Sequence, residues 1–272
     1  MSSGAEAVVI TNLIEQKDGC FTAIIELNRS AQMNALNQQM VQELSVALRS
    51  LPDPGSGLRS ILLTGAGKAF CVGADLKERA SLTPEQVEDF LALMRSVFDT
   101  LASMPVPVIA AIPGYCLGGG LELALCCDFR IACSDFEPQD YIGLPETSLG
   151  IIPGAGGTQR LPRLIGLSRA KQMIFQAKRI SATQALDYGL VDMLAPRAQL
   201  DAAARELAAG LAQQAPLALK AAKRAIQAGL SLPLEQALAL EQECYRETLG
   251  TQDRLEALAA FREKRRPQFK GQ

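Results

Sequence analysis

The sequence contains no histidine and no tryptophan. Imidazole is the usual general base, triad member and transition-metal ligand near neutral pH, so its absence leaves acid/base chemistry to carboxylates, Tyr, Lys or Cys. The seven cysteines are odd in number and none forms a CxxC pair. That spacing argues against a disulfide framework or a zinc ribbon, and no metal is expected. The thiols read as small, reduced apolar residues. Excess charge is missing too: 27 basic and 29 acidic residues leave a formal net charge of −2. No field of one sign draws in nucleic acid or an anionic membrane. No apolar run approaches the roughly 20 residues of a membrane span, and the start, MSSGAEAVVITNL, has neither a signal-peptide core nor an Arg-rich transit segment. A soluble, cytoplasmic protein is expected, or a mitochondrial-matrix one had a transit peptide been removed.

What is present is enough apolar surface for a sizeable core: 48% of 272 residues. Val8–Ile14 and Cys20–Leu27 read as a hairpin around the turn signal Lys17-Asp18-Gly19. Asn34 opens a helical stretch to about Leu51, ended by PDPGSG (Pro52–Gly57). Ser60–Thr64 and Val108–Ile112 are apolar runs suited to a sheet buried on both faces. Between them Thr83-Pro84-Glu85-Gln86 carries an N-cap, a proline at the first helical position and a capping-box glutamine. From about Leu200 strand signals stop and Ala/Leu-rich helices follow. The division is an α/β core over 1–199 and a helical C-terminal subdomain over 200–272. Apolar faces such as Leu217, Ala221, Ala225 and Ile226 favour a homo-oligomer.

Three segments carry chemistry. In GYCLGGGLELALCCD (Gly114–Asp128) Glu122 stands in the first turn of an apolar helix. On a surface helix such a glutamate needs no explanation; here Leu121, Leu123 and Leu125 surround it, and a buried carboxylate without a cationic neighbour invites a functional reading. The glycine triplet matches neither GxGxxG nor GxxxxGK[ST]. It suits close backbone approach, with helix-start N–H groups left to meet developing negative charge. In GAGKAFCVGADLK (Gly65–Lys77) small residues at Gly73 and Ala74 let a carbonyl oxygen approach the main chain, and Asp75 reads first as an N-cap. In IGLPETSLGIIPGAGGTQRL (Ile142–Leu161) Glu146 follows a proline in an apolar setting, which raises its pKa and keeps it a proton donor more easily than Glu122. Capping of the turn at Thr147–Ser148 is the plainer alternative.

AFCVGADLKE (Ala69–Glu78), GYCLGGGLELALCCD (Gly114–Asp128) and LPETSLGIIPGAGGTQRLPRLIG (Leu144–Gly166) together resemble the enoyl-CoA hydratase/isomerase, or crotonase, superfamily. The likeness extends from LNRSAQMNALN (Leu27–Asn37) to DRLEALAAFREKRRPQF (Asp253–Phe269), with a flavour of methylglutaconyl-CoA hydratases. It implies an α/β fold, a crotonase-type spiral of ββα units, followed by helices that build trimers or hexamers. The thioester oxygen would be held by the N–H groups of Ala74 and Gly119. Water would sit between Glu122 and Glu146, with Gly154 orienting it. Ala74, Asp75, Leu76 and Lys77 would line the CoA-facing loop, and Lys264 would reach the CoA phosphates, sometimes across a subunit boundary. No cofactor is implied, because CoA belongs to the substrate.

The expected activity is hydration of an acyl-CoA double bond to a 3-hydroxyacyl-CoA. Both glutamates are retained, whereas members that only shift a double bond keep one acidic residue. Isomerisation or decarboxylation on the same amide pair is the alternative. RNA binding, known for one hydratase relative, finds only Arg49 and no lysine in Asn37–Ser50, too little charge for phosphate-driven affinity. A segment a few residues longer than usual between Asp128 and Glu146 leaves the pocket wall, and with it the acyl-chain preference, open.

Overall fold

In a computed structural model, which describes residues 7–16, 19–52 and 54–272, the chain opens with β1 (Val9–Glu15) and β2 (Phe21–Leu27). They pair antiparallel from Val9 opposite Leu27 to Glu15 opposite Phe21. The hairpin is as expected, although Lys17 and Asp18 of its turn signal, and Asp53 further on, lie outside the described residues. The first helix starts later than expected. Asn34 adopts a left-handed φ of 56°, which cannot enter a right-handed helix. Its buried amide instead donates to the carbonyls of Ala66 (3.0 Å) and Ala69 (2.8 Å). Asn37 is the true cap, its Oδ1 accepting from the Met40 N–H at 2.9 Å, and α1 runs Gln38–Arg49.

Beyond α1, strands come in pairs that divide between two sheets. β3 (Leu58–Gly65), β5 (Val108–Ile112) and β7 (Phe129–Cys133) extend the first sheet, whereas β4 (Ala69–Cys71), β6 (Tyr115–Leu117) and β8 (Ile142–Gly143) build a second. With β9 (Arg179–Ile180) and β10 (Met193–Ala195), the orders are β1-β2-β3-β5-β7-β10 and β4-β6-β8-β9. Each unit therefore advances both sheets by one strand, the expected spiral. Pairing is parallel except at β1–β2 and β8–β9.

The all-apolar run of β5 is buried on both faces: Val108, Ala110 and Ile112 enter the main core, while Ile109 and Ala111 enter a smaller one. The smaller core is closed by Leu200, Ala204 and Ala208 of α8 (Leu200–Ala212). So the helical portion from residue 200 begins with a helix that covers the sheet. Between the strand pairs lie α2 (Leu76–Arg79), α3 (Pro84–Ala102) and α4 (Gly119–Ala124). The capping box of α3 is formed, with the Gln86 N–H donating to Thr83 Oγ1 and the Thr83 N–H donating to Gln86 Oε1. After β8 come α5 (Gly157–Ile165), α6 (Leu167–Phe175) and α7 (Ala182–Asp187). Helices α9 (Pro216–Gly229), α10 (Leu234–Leu249) and α11 (Gln252–Glu263) complete the chain. Lys223 ties α9 to the core through Asp128 at 2.6 Å. Ile226, Leu230, Leu234, Tyr245 and Phe261 stay exposed. All seven cysteines are buried and none is in a disulfide.

Candidate active site

The site forms where the two glycine-bearing loops meet. Leu36 makes a single parallel bridge across Gly73–Asp75: its N–H donates to Gly73 O and its carbonyl accepts from Asp75 N–H, both at 2.8 Å. Alternation along an extended segment turns the Ala74 N–H to the opposite side. Gly73 holds a φ of +91°, and a Cβ there would lie 3.0 Å from the amide nitrogen of Gly119. Gly119 is the first residue of α4, where an N–H has no intrahelical acceptor. Among the described residues neither the Ala74 nor the Gly119 N–H donates to a protein group. The third glycine of the triplet serves packing: a Cβ on Gly120 would stand 2.1 Å from Cys71 O.

Glu122 projects from the wholly buried α4 and is only 2% exposed. Its Oε1 accepts from the Ala155 N–H at 2.8 Å and the Gly157 N–H at 2.7 Å. Burial raises its pKa; the Gly157 and Ala155 amides and, at longer range, Arg160 oppose that rise by stabilising the anion.

Glu146 opens a 3-10 turn, Glu146–Leu149, and is buried. The turn makes a local contact through Ser148, whose Oγ donates to Pro145 O at 2.7 Å, and not the carboxylate cap of Thr147–Ser148 that was the plainer alternative. The Glu146 carboxyl stays out of it. Its Oε2 is buried with no hydrogen-bond partner among the described residues. Burial pushes its pKa up to about 7, and the Glu122 charge adds to that, while its own backbone amide and the Arg79 guanidinium pull the other way.

Both glutamates line one cleft with Ala74, Gly119 and Gly154. Leu91, Met94, Ile151 and Ile152 supply its apolar wall. The Gly154 carbonyl accepts from Arg95 Nη1 at 3.2 Å, and no protein acceptor is found for its N–H among the described residues. Leu76 borders the cleft, but Asp75 and Lys77 do not. Asp75 is engaged as the cap of α2, accepting from the Lys77 and Glu78 N–H groups, and pairs with Arg29 at 3.1 Å. Lys264 sits exposed at the left-handed C-cap of α11, outside the cleft lining. The longer segment between Asp128 and Glu146 gives the cleft Pro145 alone. None of residues 134–141 lines it; Phe136 instead stacks edge-on with Tyr115 and Tyr141 at 5.1 and 4.9 Å.

Two contributors escaped the sequence reading. The amides that hold Glu122 come from PGAGG (Pro153–Gly157), whose Gly-rich entry to α5 was a visible signal for a helix-start anion site. Arg79 had no signal beyond its place in a short polar helix. Among the described residues no three His, Cys, Asp or Glu gather as a metal site, and no helix is long and apolar enough to cross a membrane.

Comparison with known proteins agrees with this geometry. The family description Enoyl-CoA hydratase/isomerase matches residues 20–272. Enoyl-CoA isomerase/hydratase fer4 of Mycosarcoma maydis is 45% identical over 252 residues, covering 90% of this chain and 91% of that protein. The mitochondrial methylglutaconyl-CoA hydratase of Mus musculus is 43% identical over 267 residues, 97% of this chain and 83% of its own. A crystal structure of an enoyl-CoA hydratase from Bacillus anthracis superposes with a TM-score of 0.91 at 44% identity, covering 97% of this chain and all of that one. The chain belongs to the enoyl-CoA hydratase/isomerase family and is an enzyme of the hydratase type.

Proposed function

We propose that the enzyme adds water across the α,β double bond of an acyl-CoA thioester, giving a 3-hydroxyacyl-CoA. The observation that carries this reading is the pair of buried carboxyl groups with unequal hydrogen bonding, on one cleft with two unengaged main-chain N–H groups. The thioester oxygen sits between the Ala74 and Gly119 N–H groups. Polarisation there makes Cβ electrophilic, and an amide donor aimed at an incipient enolate contributes on the order of 3 kcal/mol. Glu122, held as the anion, takes a proton from water as its oxygen bonds to Cβ. Glu146, held protonated, delivers its proton to Cα. Proton exchange between the two carboxyls, or with solvent, restores the starting state. Gly154, with its N–H toward no protein acceptor, orients the water.

Leu76 and Lys77 lie where the CoA arm leaves the cleft, and Lys264 meets its phosphates from the same or a neighbouring subunit. CoA is substrate, and the reaction needs no cofactor. The exposed apolar side chains of α9–α11 support a homo-trimer or hexamer. Incubation with crotonyl-CoA tests the proposal. Loss of the conjugated thioester's ultraviolet band with formation of the 3-hydroxy product is expected; a deconjugated product in its place overturns hydration in favour of isomerisation, and an intact band overturns it outright.

A further inference from the structure

Among the described residues Arg79 is the one cationic side chain on the cleft lining. It ends α2, is only half-buried, and forms no ion pair or hydrogen bond through its guanidinium among the described residues. Cations elsewhere on the structure are commonly engaged: Arg29 with Asp75, Arg160 with Asp99, Lys223 with Asp128. Apart from Glu122 and Glu146, the side chains that line the cleft with it, such as Leu76, Leu91, Met94, Leu149 and Ile152, are apolar. A guanidinium partly desolvated among such groups gains strongly from a carboxylate or phosphate that supplies the missing acceptors.

The bound substrate offers two such groups: the CoA phosphates and, on some acyl chains, a terminal carboxylate. Location separates them. Arg79 lines the same cleft as Glu146, the carboxyl that protonates Cα in the proposed reaction, so it borders the space that the reacting carbons occupy. The CoA phosphates stand a full pantetheine arm away from those carbons. A carboxylate two or three bonds beyond Cβ does not. We propose that Arg79 is a specificity-determining residue that binds the distal carboxylate of a dicarboxylic enoyl-CoA, a short α,β-unsaturated thioester whose other end is an acid. This rests on the hydratase reading of the same cleft and names its substrate class. The methylglutaconyl-CoA hydratase of Mus musculus bears a dicarboxylic acyl group in its name, which accords with the proposal.

The test compares kcat/KM for glutaconyl-CoA with that for a neutral enoyl-CoA of the same shape, in which an isopropyl group replaces the carboxylate. The wild-type enzyme should favour the acid by tenfold or more, the scale of a hydrogen-bonded charge pair. Arg79→Leu should lower that ratio by about the same factor, and Arg79→Lys should recover part of it. The ratio cancels any effect of the substitution on Glu146, which both substrates share. A wild-type enzyme that favours the neutral chain overturns the proposal whether or not the variant folds. So does an unchanged ratio in Arg79→Leu; if inhibition by free CoA weakens in that variant as well, Arg79 holds the CoA phosphates instead. Should wild type hydrate neither substrate, the hydratase reading itself fails, a separate outcome.

Discussion

Glu122 and Glu146 occupy the same cleft and are both removed from water, yet their surroundings differ in one respect. The Oε1 of Glu122 accepts two main-chain N–H groups, at 2.8 and 2.7 Å, from the loop that begins α5. Glu146 has a buried oxygen with no partner at all among the described residues. Burial favours the neutral acid in both; two amides of a distant loop oppose it at Glu122, against a single amide, its own, at Glu146. The comparison teaches how, in the proposed reaction, a fold without imidazole can separate acid from base by allotting hydrogen-bond donors, with no need for two kinds of side chain.

The largest effect should come from erasing the difference. Glu122→Gln and Glu146→Gln are each expected to lower kcat by about a hundredfold to ten-thousandfold with little change in KM. Wild-type turnover in either variant, measured on crotonyl-CoA, would break the assignment. Next come substitutions that displace one carboxyl without deleting it. A Cβ at Gly157 would meet Glu122 Cγ and Oε1 at 3.0 Å, and one at Gly118, where φ is +53°, would meet Glu146 Oε1 at 3.1 Å. Alanine at either position should cost roughly tenfold to a hundredfold in kcat, the scale of an ångström-sized misplacement. Gly118→Ala should also cost about 1 kcal/mol of stability, because a positive φ strains alanine, and so lower the melting temperature.

A subtler sharpening lies in pH dependence. With Glu146 at about 7, kcat should fall as pH rises through that value, because the donor loses its proton. A profile flat up to pH about 9 would contradict a protonated Glu146. The smallest effect concerns stability. The folded-state value of Glu146 lies above its ordinary 4.5, so the folded chain holds that proton more tightly than the unfolded one. Its contribution is therefore present in full below pH about 4.5 and is lost as pH rises through about 7. Denaturant titration should show Glu146→Gln free of that loss, the gap to wild type widening between those values by no more than about 3 kcal/mol.

Much of this arrangement was legible in single segments, and the reasons differ by residue. Thr83-Pro84-Glu85-Gln86 declared its helix because capping is a contact between neighbours, and the structure forms it. VIAAI declared a strand buried on both faces because it offers no polar side, and both cores receive it. Glu122 stood out as a carboxylate within an apolar helix, and it is buried. Asn34 misled, because Asn suits both a cap and a left-handed residue. Its choice was made by carbonyls of Ala66 and Ala69, over thirty residues away. The extra length after Asp128 left the pocket wall open, since length alone does not say where a segment packs: its end, Pro145, lines the cleft, while Phe136 packs on Tyr115 and Tyr141.

From the sequence alone came the kind of chemistry available: without histidine, proton transfer falls to carboxylates, and two of these stood in apolar, glycine-flanked segments. Local pattern also determined the alternation of strands and helices, since periodicity, caps and turn residues act within a few positions. What only the tertiary structure decided was the inequality of the two carboxyls and the bare guanidinium beside them. Glu122 meets its amides 33 and 35 residues further along the chain, and Arg79 comes to share a cleft with Glu146 although the two lie far apart in sequence. A pKa depends on which donors and charges surround a group in space, and a linear sequence carries that only after the spiral has closed.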